Sequence, residues 1–298
     1  MDNLSQNLEV EEDSLVIFMH VPKTAGTSLR HIVQSQFQPQ NVFEFYNLKT
    51  LPPKVRKGIE KYNSLSEAQK QAIKFVSGHV GFGLHEFLSK PCTYITVLRD
   101  PVERVISYYY FLLRNQNEIV KNKTLLEFIE TFGGVHNSMT CYLSGLTLQA
   151  QLQGCDAQLK FQQFDRETLA KAKVNLKNHF KVVGFVDRFD ETCILLKKIL
   201  GWNIPSFYAR KNVAKHPHAT KEIPPETISL IRQFNELDIS LYNYAREIFE
   251  EMIQQQGDTF PEDLNQFQLA QGASNNKLYF KIHSSYKRMA YKVYEKLS

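Results

Sequence analysis

The chain lacks the features that mark several protein classes. It contains no run of about 18 apolar residues, so no membrane-spanning helix is expected. Its four cysteines, Cys92, Cys141, Cys155 and Cys193, show no paired spacing. That argues against a disulfide framework or a thiolate zinc site and for reduced thiols. There is no H-E-x-x-H cluster, and no metal is expected. The start, MDNLSQNLEVEED, is acidic and has no apolar h-region, so it does not read as a signal peptide. A soluble, cytoplasmic protein is the expectation. A large excess of one charge is also missing. The 36 Lys and Arg against 31 Asp and Glu leave +5, which suits anionic ligands but is too diffuse to indicate nucleic acid.

What is present is enough apolar material for a folded enzyme, 43% of 298 residues, and a dense motif near its beginning. Residues 18–30 read FMHVPKTAGTSLR, a β-type run, a tight turn placed at Gly26, and an apolar helix opening with Thr27 and Ser28. Such a junction turns unpaired N–H groups and the positive end of a helix dipole toward an anion. Lys23 adds a charge, and Thr24, Thr27 and Ser28 add hydroxyls. An ordinary turn capped by Thr27 or Ser28 is the plain alternative. The Walker A loop does not fit: with Gly26 as its second glycine, Thr27 fills the lysine position and Val21 the first glycine. A P-loop kinase is therefore the weaker reading.

A second junction follows at TYITVLRDPVERVISYYYFLL, residues 93–113. Thr93–Leu98 reads as a buried parallel strand, with Arg99 at its carboxyl end, Asp100 as a helix cap and Pro101 in the first turn. Ser107 lies two turns into that helix. The plain alternative for Arg104 and Glu103 is a solvated helix face. Between the two junctions, KFVSGHVGF (74–82) reads as a short strand ending at Gly78-His79.

Together these motifs resemble the sulfotransferases that use 3′-phosphoadenosine 5′-phosphosulfate (PAPS). The P-K-T-x-[GS]-T-S pattern is similar to their 5′-phosphosulfate loop, and R-D-P-x-x-R-x-x-S-x-Y to their 3′-phosphate segment. The G-H-V and R-D-P-x-E-R-x-x-S-Y-Y-Y-F runs are closest to the heparan sulfate 2-O-sulfotransferase-like, carbohydrate-type members. The resemblance implies His79 as general base and Lys23 at the leaving phosphate. It implies Lys23, Thr24, Ala25, Gly26, Thr27 and Ser28 around the phosphosulfate, and Arg99 and Ser107 on the 3′-phosphate. Arg210 and Lys211, opening the basic loop RKNVAKHPHA, would close over the adenosine. The donor would be PAPS, the product 3′,5′-ADP, and the acceptor a hydroxyl of a carbohydrate or glycoconjugate. Relatives often carry a second histidine two residues before the base, a place held here by Ser77. His85 is the competing base, within an expected helix over 84–89. The animal Golgi relatives carry an N-terminal membrane anchor, and the acidic start here resembles none. A catalytically inactive nucleotide- or glycan-binding module is the reading from another class.

The expected fold is α/β, a P-loop-like sulfotransferase fold with a central parallel sheet flanked by helices and strands near 15–20, 93–98 and 181–186. The expected organisation is an acidic tail over 1–13, the sulfotransferase domain over 14–256 and a C-terminal basic amphipathic segment over 257–298 packed on it. That last segment includes KLYFKIHSSYKRMAYKVYEKL (277–297), whose basic face suits a weak contact with an anionic membrane surface. Asn137, in HNSMTCYLSG, reads as a helix cap or a ligand contact, and the Gln-rich stretch 149–163 as an exposed connection. Asp187 is expected to open a helix, and Pro224-Pro225 to begin one long helix with Leu237, Leu241, Ala245, Ile248 and Met252 inward.

Overall fold

The structure, a computed structural model, describes residues 14–34, 36–46, 54–154, 165–205 and 223–273. The expectations for the acidic tail, for Arg210 and Lys211 and for the basic stretch 277–297 lie outside the described residues.

Five apolar runs make one all-parallel sheet in the order β2-β3-β1-β4-β5. They are β1 (Leu15–Met19), β2 (Val42–Glu44), β3 (Phe75–Gly78), β4 (Cys92–Leu98) and β5 (Phe180–Phe185). All five residues of β1 are buried, as a strand covered on both faces requires. β1 is central: the chain lays β2 and β3 on one side of it, then crosses to lay β4 and β5 on the other. Loops leaving neighbouring strands therefore part at the carboxyl end of β1, the place where open α/β sheets bind ligands.

Helices fill the connections. α1 (Gly26–Gln34) follows β1, α2 (Lys54–Asn63) and α3 (Glu67–Ala72) precede β3, and α4 (Pro101–Arg114) leaves β4. Four helices lead on to β5: α5 (Leu125–Thr131), α6 (Ser138–Ser144), α7 (Leu146–Gln153) and α8 (Arg166–His179). Then come α9 (Phe189–Leu200), α10 (Pro225–Phe234), α11 (Glu236–Gln254) and α12 (Phe260–Ala273), the last burying Phe260 and Phe267 in the core around the sheet. No helix among the described residues is long and apolar enough to cross a membrane.

A smaller apolar cluster, with Val105, Ile106, Phe128 and Ile231, joins α4, α5 and α10. Arg104 links this cluster to the rest, and here the solvated alternative is overturned. Arg104 is 1% exposed, donates to Val135 O and faces Asp238 of α11 at 3.7 Å. Asp238 also accepts from Thr140 N at 2.7 Å, Thr140 Oγ1 at 2.8 Å and Met139 N at 3.1 Å. Burial pushes the Asp238 carboxyl up, and Arg104 with these donors pulls it back. Removing one partner of such a pair typically costs about 3–5 kcal/mol.

The expected long helix is broken at Asn235. Asn137 Oδ1 accepts from Leu237 N and Asp238 N at 3.0 and 3.1 Å, and Asn235 Oδ1 accepts from Asn137 N at 3.0 Å. The two asparagines exchange caps, so a side chain distant in sequence starts α11. Asp187 is likewise not a helix opener. It pairs with Arg246 of α11, and α9 begins at Phe189.

Candidate active site

Between Met19 and Gly26 the chain turns on two non-glycine residues. Lys23 has φ 73° and Ala25 φ 57°, both left-handed. Such residues cost of order 1–3 kcal/mol each and collect at ligand-binding loops. The sequence pattern placed the turn at Gly26, but Gly26 already belongs to α1 and has no positive φ. Glycine is needed there for space. A Cβ would stand 1.9 Å from His20 Nε2. Thr24 is buried and donates its hydroxyl to Val21 O at 2.8 Å, stapling the loop. Ser28 N bonds Ala25 O at 2.9 Å, which leaves the N–H groups of the first residues of α1 at the mouth of the loop.

The β4–α4 junction lies alongside. Asp100 Oδ1 accepts from Glu103 N at 3.0 Å with Pro101 next in the helix, so the expected cap and first turn are found. Arg99 pairs with Glu103 at 3.0 Å, one turn on. Ser107 is half-buried in the second turn. Lys23 Nζ reaches across to α4 and rests 4.3 Å from the centroid of the Phe111 ring. Burial, then the Arg114 and Arg99 charges, lower the Lys23 pKa to about 8. Lys23 thus lies within electrostatic reach of Arg99, just before α4, and of Arg114 at the end of that helix.

His79 follows β3. Its Nδ1 lies 2.8 Å from His20 O, and a carbonyl only accepts, so Nδ1 carries the hydrogen and neutral His79 keeps its lone pair at Nε2. Burial lowers its pKa most; the bond to His20 opposes this, and Arg30 and Lys23 lower it further. Its backbone is held by a residue expected in an exposed connection. Gln151 is buried in α7, donates to His79 O at 2.6 Å and accepts from Gly81 N at 3.3 Å. The competitor His85 sits in a 3-10 turn over Leu84–Phe87 and bonds Tyr94 Oη at 2.9 Å. Tyr94 lies toward the amino end of β4, so His85 is at the wrong end of the sheet to meet Lys23.

Sequence reasoning missed His20. It is 7% exposed, its ring centroid is 4.2 Å from that of His79, and its Nδ1 is 2.8 Å from Tyr46 Oη. The signal was available only through the pairing of β1 with β3, which no local pattern gives.

A strained loop thus ends the central parallel strand, Lys23 in it feels the charge of Arg99 after the neighbouring strand, and a histidine follows the strand on its other side. The profile of the sulfotransferase family matches residues 6–245, and the chain belongs to that family. Heparan sulfate 2-O-sulfotransferase 1 of Xenopus laevis is 28% identical over 269 residues, covering 82% of this chain and 72% of its own length. The human protein of that name is 26% identical with the same coverage. Heparan sulfate 2-O-sulfotransferase hst-2 of Caenorhabditis elegans is 23% identical over 265 residues, covering 82% of this chain and 81% of its own.

Proposed function

We propose that this protein transfers the sulfuryl group of PAPS to a hydroxyl of a carbohydrate acceptor, the class on which the curated relatives act by name. The observation that supports the reading is that Lys23, on the loop before α1, feels the charge of Arg99 and lies near enough to His79 to lower its pKa. Cations held this close, one with a depressed pKa, are relieved by a polyanionic ligand. A nucleotide with phosphate at both its 3′ and 5′ ends has the charge for two such junctions.

The loop 23–28 would take the 5′-phosphosulfate on its N–H groups. Arg99, leaving Glu103, would take the 3′-phosphate in a bidentate contact, with the Ser107 hydroxyl beside it. His79 Nε2 would accept the acceptor's proton as the acceptor oxygen forms its bond to sulfur. The sulfur–oxygen bond to the 5′-phosphate breaks, and the electron pair leaves on that phosphate oxygen, where Lys23 and the loop meet the growing charge.

Calorimetric titration with 3′,5′-ADP, with ATP as control, tests the nucleotide half. Binding is expected for 3′,5′-ADP and not matched by ATP, and Arg99→Ala is expected to weaken it about 10–100-fold, the loss of a charge-assisted hydrogen bond of about 1.5–3 kcal/mol. Equal binding of ATP, or none of 3′,5′-ADP by folded protein, would sink the reading. Transfer from labelled PAPS to desulfated heparan chains tests the acceptor half, and a protein that binds the nucleotide but labels no carbohydrate would be a binding module.

A further inference from the structure

Ser77, two residues before His79, is fully buried in β3 and cannot face a ligand. A histidine stands beside His79 all the same, delivered by the adjacent strand. β1 and β3 pair with Phe18 opposite Ser77 and Met19 opposite Gly78, and His20 N donates to Gly78 O at 3.0 Å. The next residues, His20 and His79, therefore leave the sheet side by side. The His20 ring is stacked on Phe18 at 5.3 Å and 12° and lies 4.2 Å from His79 at 35°. Its Nε2 edge lies against Gly26, the first residue of α1. The imidazole thus stands between the base and the anion loop, and among the described residues nothing is hydrogen-bonded to Nε2.

Tyr46 Oη meets His20 Nδ1 at 2.8 Å, where a phenol can donate to a bare nitrogen or accept from an Nδ1–H. Burial drives its phenol pKa far above the ordinary value, even with the Arg30 guanidinium 4.7 Å over the ring, so the hydroxyl keeps its proton. A phenol that donates to His20 Nδ1 leaves a neutral imidazole with its hydrogen on Nε2. Neutrality is enforced by burial first, then by His79, Arg30 and Lys23, all of which disfavour a charge on His20. The neighbouring rings then hold opposite tautomers. His79 offers a lone pair, and His20 offers an N–H.

We propose that His20 is a second catalytic histidine, whose Nδ1 accepts from Tyr46 and whose Nε2–H donates a hydrogen bond to a sulfuryl oxygen during transfer. The assignment rests on the sulfuryl-transfer reading above. No proton leaves His20 in this step: the acceptor's proton still goes to His79, and the leaving electron pair to the phosphate. A neutral donor suits the position because His79 becomes positive as it takes the proton, and a second cation 4.2 Å away would resist that. The glycine at position 26 follows from the same arrangement, since the Ser that the loop pattern also admits would occupy the space of Nε2.

Two measurements test it. Nitrogen-15 spectra of the histidine rings are expected to show His20 with its hydrogen on Nε2 at pH 7, still neutral at pH 5, and mixed in tautomer in Tyr46→Phe. A charged His20 at pH 7, or a hydrogen held on Nδ1, would overturn the proposal. In turnover, His20→Phe keeps the ring stack and the carbonyl that orients His79. It is expected to bind 3′,5′-ADP within twofold of wild type yet transfer about 10²-fold more slowly, as for removal of one transition-state donor. His20→Gln, which returns an N–H close to the same place, is expected to recover about tenfold of that loss in kcat. Transfer by His20→Phe at the wild-type rate, or no recovery in a folded His20→Gln, would refute a donor role. Failure of the wild type to bind 3′,5′-ADP would instead overturn the parent reading, and the donor role with it.

Discussion

The sheet carries two groups of two histidines and a tyrosine, one at each end. At the carboxyl end His20, His79 and Tyr46 pack with the histidine rings 4.2 Å apart. At the amino end His85, His179 and Tyr94 pack with the histidine rings 5.5 Å apart. Residue types are identical, and each tyrosine hydroxyl bonds a histidine Nδ1. The surroundings differ. The first group lies beside a strained loop, a helix N-terminus and Lys23 and Arg30, with His20 buried and His79 exposed. In the second, His179 is exposed, His85 is half-buried and its charged neighbour is Glu86, which opposes the loss of a proton. Chemistry here is assigned by the end of the sheet, not by the side chains.

The largest break in that comparison is expected from single alanines. His79→Ala should lower sulfuryl transfer about 10²–10⁴-fold, the worth of a general base, while leaving 3′,5′-ADP binding intact. His85→Ala should leave transfer within twofold. Labelled PAPS turnover checks both, and a comparable loss in His85→Ala would reverse the assignment of ends. Next comes Gly26→Ala. Its Cβ would displace a ring stacked on Phe18 and close to His79, so transfer should fall at least about tenfold, since a misplacement of about 1 Å can cost 10²-fold. An alanine variant of full activity would show that the packing of His20 on the loop is dispensable.

The smallest effect is in pH dependence, and its sign is fixed. His79 is lowered from 6.5, so kcat/KM should climb with pH along a limb centred below 6.5, at about tenfold per unit. It should fall above about 8, where free Lys23 loses its proton. Bound phosphosulfate favours the charged amine, so the upper limb should move to higher pH in kcat than in kcat/KM. The unfolded chain binds protons that His20, buried, and His79 refuse in the folded state, so stability should drop as pH falls from 6.5 toward their folded values. A pH series of rates and denaturant midpoints measures both. His85→Ala should leave the acid limb in place.

Local patterns made part of this legible. β1, β4, the Asp100 cap and the position of Lys23 and His79 at strand ends follow from short runs whose spacing carries their meaning. What escaped was long-range. His20 meets His79 only through strand register, and Gln151 meets the backbone of His79 across 72 residues of chain. The break at Asn235 is made by Asn137, and Arg104 is buried because Asp238 waits for it. In each case the deciding partner lies far away in sequence, and periodicity within one element contains no trace of it.

The Arg104–Asp238 contact also orders events in time. A growing chain that has passed residue 113 already contains the phosphate loop, His79, Arg99 and Ser107. It does not yet contain the counter-charge that lets α4 bury Arg104. Until α11 is present, seating α4 would bury a guanidinium whose charge is unmatched, with only the Val135 carbonyl as its partner. Seating the helix that bears Ser107 therefore depends on a carboxylate more than a hundred positions later in the chain, and a chain truncated before Asp238 would leave Arg104 only the Val135 carbonyl.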